Sequence, residues 1–148
     1  MADVWYFAYG SNMYREQVRQ RAGEPKEEKN ARLEGYELNF HKIARGGTGT
    51  GNIALAPGKV VWGVLYKLSE QQLKALDRFE GVPEHYRRSE VTVVDGNGQK
   101  VTAQVYLARK VRKGLKPDRQ YLQRILQGAE EHGLPADYIE ELKRIIPA

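Results

Sequence analysis

Tyr86-Arg87-Arg88-Ser89-Glu90-Val91-Thr92-Val93-Val94 is followed by Asp95-Gly96-Asn97-Gly98, and then by Val101-Thr102-Ala103-Gln104-Val105-Tyr106-Leu107. Two runs rich in β-branched residues alternate in polarity, and the turn between them is made of Asp, Gly and Asn, the residues that tolerate tight hairpin geometry. An antiparallel hairpin therefore sits in the middle of the second half of the chain. Upstream, Val60 to Leu68, Ile53 to Ala56 and Leu33 to Phe40 read as further strands, with the glycine-rich stretch Arg45 to Gly51 between the last two. Val4-Trp5-Tyr6-Phe7-Ala8-Tyr9 reads as a buried aromatic strand. Gly10-Ser11-Asn12 breaks it, Met13 to Arg21 forms a short helix capped by Ser11 or Asn12, and Ala22 to Asn30 is an exposed loop.

Downstream of the hairpin the pattern turns helical. Pro117 opens a helix with Tyr121, Leu122, Ile125, Leu126 and Ala129 on its inner face, and Gly133 ends it. Pro135 begins a second helix with Tyr138, Ile139, Leu142 and Ile145 inward. Strands fill residues 4–107 and helices close the chain, so the class is α+β rather than alternating α/β.

One helix interrupts the strands. Ser69 and Gln72 make a capping box, Leu68 and Leu73 a hydrophobic staple, and Gly81 is the stop. Leu73, Leu76 and Glu80 share one face of it. Glu80 therefore points where the leucines point, at the negative end of the helix dipole. Burial and the dipole both favour its protonated form and raise its pKa, which suits a glutamate for proton transfer near neutral pH. The other reading of the same residue is a helix-end carboxylate that curls into solvent or pairs with Arg87 or Arg88.

Composition narrows the classes. The 148 residues suffice for one domain with a substantial core, spanning 1–148, and the 41% hydrophobic and 29% charged content is that of a globular protein. No run approaches the roughly 20 apolar residues of a membrane span, and Met1-Ala2-Asp3-Val4 lacks the layout of a signal peptide. The absence of cysteine excludes disulfides, thiolate nucleophiles and Cys-ligated zinc, and is compatible with a cytoplasmic protein. A net charge of +5 raises nucleic-acid binding as a class. The basic residues are dispersed, however, and even the tightest cluster, Arg109 to Lys116, reads as a solvated surface, with anion attraction as the lesser reading.

The Gly10-Ser11-Asn12 junction between strand and helix can bind an anion through unpaired backbone N–H groups, or can be a plain N-cap. There is no dinucleotide-binding glycine pattern and no Walker lysine. Arg45 to Gly51 reads as a mobile loop between strands, with a lid over a pocket as the lesser reading. His41, His85 and His132 show no metal-ligand spacing, and Ser11, Ser69 and Ser89 sit in no nucleophile elbow.

Tyr6-Phe7-Ala8-Tyr9-Gly10-Ser11-Asn12-Met13 resembles the N-terminal signature of the γ-glutamylcyclotransferase family, and Leu76-Asp77-Arg78-Phe79-Glu80-Gly81-Val82 resembles its mid-chain motif. Val61-Trp62-Gly63-Val64-Leu65-Tyr66, Tyr106-Leu107, Gln120-Tyr121 and Gly133-Leu134-Pro135 follow in that family's order, so the likeness runs through nearly the whole chain. It implies a partly closed mixed β-barrel flanked by helices, with a C-terminal helical pair. It further implies an enzyme that converts a γ-glutamyl-amino acid to 5-oxoproline and the free amino acid. Glu80 maps onto the family's acid/base glutamate. Tyr6, Phe7, Ala8, Tyr9, Gly10, Ser11 and Asn12 map onto its substrate-binding loop, and Tyr121 and Tyr86 onto pocket tyrosines. The Tyr-Gly-Ser-Asn form looks more like the γ-glutamyl-amino-acid branch than the glutathione-specific or γ-glutamylamine branches. The expected partner is a small γ-glutamyl substrate, with no cofactor, metal, nucleic acid or membrane, and with room for a homodimer. Two other readings stay open: a catalytically silent binding domain that kept the fold, and a basic nucleic-acid-binding module.

Overall fold

The computed structural model describes residues 3–148; Met1 and Ala2, which begin the segment read for a leader, lie outside the described residues. Five strands form a closed barrel: β1 (Val4–Ala8), β2 (Glu27–Ile43), β3 (Gly49–Leu68), β4 (Tyr86–Asp95) and β5 (Lys100–Ala108), in the order β1-β3-β2-β4-β5. All neighbours are antiparallel except β1 and β5, which meet in parallel at Tyr6 and Gln104. The closure is narrow, with β2 and β4 pairing only at Ala31–Asp95 and Arg32–Val94. Four helices cover the outside: α1 (Arg15–Ala22), α2 (Glu70–Glu80), and the C-terminal pair α3 (Arg119–Glu131) and α4 (Ala136–Lys143). Among the described residues no helix is long and apolar enough to cross a membrane.

Strand alternation sorts the side chains into two cores. Phe7, Ala31, Leu33, Val61, Leu65, Val91, Val93, Ala103 and Val105 fill the barrel. Tyr6, Ala8, Val64, Tyr66, Leu68 and Tyr106 face the other way and pack against Val18 of α1, Leu73 and Leu76 of α2, and Leu122, Ile125 and Ala129 of α3. Gly63 is glycine because a Cβ there would lie 2.4 Å from the Ala8 carbonyl oxygen and 2.8 Å from the Phe7 ring.

Three expectations are corrected by pairing. The loop read at Ala22–Asn30 is a strand from Glu27, because ladder hydrogen bonds need no apolar side chains and each charge finds a partner: Lys67 lies 3.0 Å from Glu27, and Arg15 lies 2.6 Å from Glu28. The strands read separately at Ile53–Ala56 and Val60–Leu68 are one strand, interrupted where Pro57-Gly58 bulges out between the Tyr36–Leu55 and Glu34–Val60 pairs. The cap expected from Ser11 or Asn12 is absent. Ser11–Met13 form a 3₁₀ turn, Tyr14 occupies the N-cap of α1 without a side-chain bond, and both polar side chains are used elsewhere.

Around α2 the sequence signals hold. Ser69 Oγ accepts from the Gln72 N–H, the Gln72 side chain accepts from the Ser69 N–H, and Gly81 ends the helix in the left-handed conformation at φ 65°.

Candidate active site

A cavity of about 260 Å³ opens where the end of β1, the 3₁₀ turn, the C-terminal end of α2 and the first turn of α3 converge. Tyr6, Tyr9, Gly10, Ser11, Asn12, Glu80, Tyr86 and Tyr121 line it. Phe7 and Ala8 do not. Phe7 points into the barrel by alternation, and Ala8, on the same face as Tyr6, packs in the core beneath the helices. The loop reading is right for the residues around them and wrong for these two side chains.

Glu80 is reached from the cavity and otherwise walled by protein. Burial pushes its pKa up to about 7; the Arg21 charge and the Asn12 hydrogen bond hold it down, and Asp77 adds a little upward. The alternative pairing with Arg87 or Arg88 is not made: Arg88 lies 3.0 Å from Asp77, one turn back on α2.

Asn12 is the hub. Its Nδ2 donates to Glu80 Oε1 at 3.2 Å and to the Tyr6 hydroxyl at 3.0 Å, using one hydrogen on each. Its Oδ1 accepts from Gln17 Nε2 at 2.9 Å and from Arg21 at 3.2 Å, which fixes the amide's orientation. Gln17 Nε2 also donates to Ser11 Oγ at 2.7 Å, and Gln17 Oε1 accepts from Arg124 at 3.2 Å. The two residues expected as caps are thus tied into a polar chain that runs from α3 to the carboxylate. Such a chain holds a rotamer that a lone surface asparagine would not keep.

The tyrosines form the opposite wall. Tyr121 accepts the Gly51 N–H at 2.8 Å, and its oxygen stands 3.3 Å from where a Gly10 Cβ would be. Tyr86 donates to the Gly51 carbonyl at 2.7 Å and lies 3.0 Å from Thr50 Oγ1. Tyr9 donates to the Tyr106 carbonyl at 2.6 Å. Burial raises the pKa of each, that of Tyr121 to about 12, so near pH 7 all are neutral hydroxyls.

Gly128 lets this wall close. An added Cβ there would lie 2.5 Å from the Tyr14 nitrogen and 2.6 Å from the Met13 carbonyl carbon, so α3 packs directly on the backbone after the 3₁₀ turn. That approach sets Tyr121 and Arg124 over the cavity.

Sequence reasoning missed Gln17, Arg21, Thr50, Gly51, Phe79, Tyr106 and Arg124, which also line the cavity. Two carried a signal. Gln17 lies one turn along a helix face from Met13, and Thr50-Gly51 ends the glycine-rich stretch expected to be a loop, whereas in the structure both residues belong to β3.

The γ-glutamylcyclotransferase of Homo sapiens is 37% identical over 149 residues, covering 96% of this chain and 78% of its own length. That of Bos taurus is 36% identical over the same shares. A solved γ-glutamyl cyclotransferase structure superposes with a TM-score of 0.91 at 35% identity, covering 99% of this chain and 89% of its own. The AIG2-like family model matches residues 60–142. The chain belongs to the γ-glutamylcyclotransferase family. It is a cyclotransferase-type enzyme on the family's barrel, and its Glu80-centred cavity is the candidate for its chemistry.

Proposed function

We propose that the protein converts γ-glutamyl-amino acids to 5-oxoproline, with Glu80 as general base and then general acid. The carrying observation is a carboxyl group with a pKa of about 7, oriented by Asn12, at the wall of a cavity that it shares with neutral tyrosine hydroxyls, the Gly10 and Gly51 backbone, and the side chains of Arg21 and Arg124. The substrate's α-amine attacks its own γ-carbonyl carbon, and the ring C–N bond forms while Glu80 takes a proton from that nitrogen. The amide C–N bond then breaks, and the proton passes from Glu80 to the departing nitrogen, which leaves as a neutral amine. Because the nucleophile and electrophile belong to one molecule, holding the folded conformer supplies much of the acceleration.

The N–H groups of Ser11 and Asn12 open a 3₁₀ turn and have no acceptor within it, so they are the candidates for the developing oxyanion. Tyr121 accepts from Gly51, so its own O–H serves as a donor, toward Ser11 beside it or toward a substrate acceptor. Glycine at position 10 keeps this approach open, since a side chain there would meet the Tyr121 hydroxyl first.

The test is release of 5-oxoproline from a panel of γ-glutamyl-amino acids, with glutathione and γ-glutamyl-lysine isomers alongside. The γ-glutamyl-amino acids should be turned over, with kcat/KM rising through a limb near pH 7 as Glu80 ionises. Turnover of glutathione alone, or no 5-oxoproline from any of them, would overturn this reading.

A further inference from the structure

Gln17, Arg21, Phe79 and Arg124 line the catalytic cavity and also an outer depression of about 490 Å³, which continues over Tyr14, Glu16 and Gln20. The inner cavity, about 260 Å³, is smaller than the roughly 300–1,000 Å³ usual for a small-molecule site. A substrate gripped there by one end extends outward. The reaction proposed above, on which this inference rests, sets which end: the carbonyl that closes the ring lies beside Glu80, so the amine-side half faces the outer depression.

The chemistry of that depression is specific. Among the described residues neither Arg21 nor Arg124 has a carboxylate within 4.0 Å. Arg124 spends one donor on Gln17 Oε1 at 3.2 Å, out of the five a guanidinium carries. Glu16, the acidic residue on these outer walls, is held 3.3 Å from Arg19. Phe79, next to Glu80 in sequence, leaves 60% of its surface exposed, and the Arg21 guanidinium lies 5.2 Å from its ring centroid. A cationic site with spare donors thus stands beside an open aromatic face.

We propose that the outer depression is the subsite for the departing amino acid and that Arg124 determines its specificity. Arg124 pairs with the free α-carboxylate of the leaving half, Arg21 adds its charge, and the leaving side chain lies against Phe79. The favoured substrates are γ-glutamyl conjugates of apolar α-amino acids, and conjugates of amines without a carboxylate are disfavoured.

The experiment compares γ-glutamyl-phenylalanine with its C-terminal carboxamide, which differs only in the charge at issue. The intact enzyme should prefer the acid about tenfold to a hundredfold in kcat/KM, the range expected for one charge-assisted contact, and the preference should lie in KM. Arg124→Gln should bring the ratio of the two substrates toward one, Arg124→Lys should keep part of it, and added salt should erode it. Equal use of both substrates by the parent, or an unchanged ratio in Arg124→Gln, would overturn the subsite. Calorimetry of both compounds on Glu80→Gln separates this from the reaction itself. Tighter binding of the acid, with no 5-oxoproline from the parent enzyme, would sink the cyclisation and keep the subsite; equal binding would sink the subsite.

Discussion

The barrel interior and the tyrosine-lined cavity are built from opposite faces of the same strands. On β1, Phe7 enters the barrel and Tyr6 the cavity; on β5, Val105 enters the barrel and Tyr106 the cavity wall. The interior is apolar and closes on itself. The cavity wall is equally buried in places, yet polar, and stays ordered only because each hydroxyl or amide has a partner from another element. Tyr9 bonds to β5, Tyr86 and Tyr121 bond to Gly51, and Asn12 bridges Tyr6 and Glu80. Shape complementarity holds the first region and hydrogen-bond connectivity the second, so they should fail in different ways.

Phe7→Ala probes the barrel and should have the largest effect, a loss of about 3–5 kcal/mol of stability from the cavity left in the packed core. Denaturant titration reads it, and KM of the folded fraction should not change. A raised KM with intact stability would mean that Phe7 belongs to the cavity after all.

Glu80→Gln probes the other region. Turnover should drop about 100-fold or more, as expected when a positioned acid/base is removed, while the near-isosteric amide keeps the fold and the bond to Asn12. Steady-state assays with circular dichroism would check both halves, and near-normal turnover would break the contrast between the regions.

Tyr121→Phe is the finer probe. The ring still fills its space and the Gly51 N–H loses its acceptor, so stability should fall by about 1 kcal/mol, with a clearer loss in kcat/KM. An unchanged kcat/KM would make Tyr121 a structural member of the wall.

The smallest effect is in pH dependence. Glu80 has a raised pKa, so between the ordinary carboxylate range and about pH 7 the folded state binds the proton that the unfolded state has lost. Stability from this group is present below that window and falls as pH rises through it. The buried His132 has a lowered pKa, caused first by burial, and so adds stability as pH rises above its folded value. The two trends oppose each other, so the difference between parent and Glu80→Gln is the quantity to measure. In thermal melts the variant should gain relative to the parent from pH 5 to pH 8.

Much of this was legible along the chain. The β4–β5 hairpin, the capping box and glycine stop of α2, and the inward Leu73-Leu76-Glu80 face are local patterns with fixed periods, and the structure keeps them. Local signals failed where the partners are chosen by tertiary contacts. Glu27 to Asn30 looked like a loop because its charges are neutralised by residues far along the chain. Ser11 and Asn12 looked like caps because the bonds they make do not follow helical spacing: Gln17, Arg21 and Tyr6 are near in sequence but reach them only through the folded 3₁₀ turn, and Glu80 comes from α2.

The sequence by itself determined the α+β class, the strand alternation and the placing of a carboxylate on an apolar helix face, because each follows from periodicities of two or 3.6 residues. Only the tertiary structure decided which of Tyr6, Phe7 and Ala8 reaches the cavity, and that Gly51 of β3 and Arg124 of α3 line it together. Barrel closure fixes which face of a strand is inside, and the contact of Gly128 with the backbone at Met13 and Tyr14 fixes where α3 lies. Both are packing relations between segments distant in sequence, Ala31 with Asp95 and Gly128 with Met13 and Tyr14, and no local pattern encodes them.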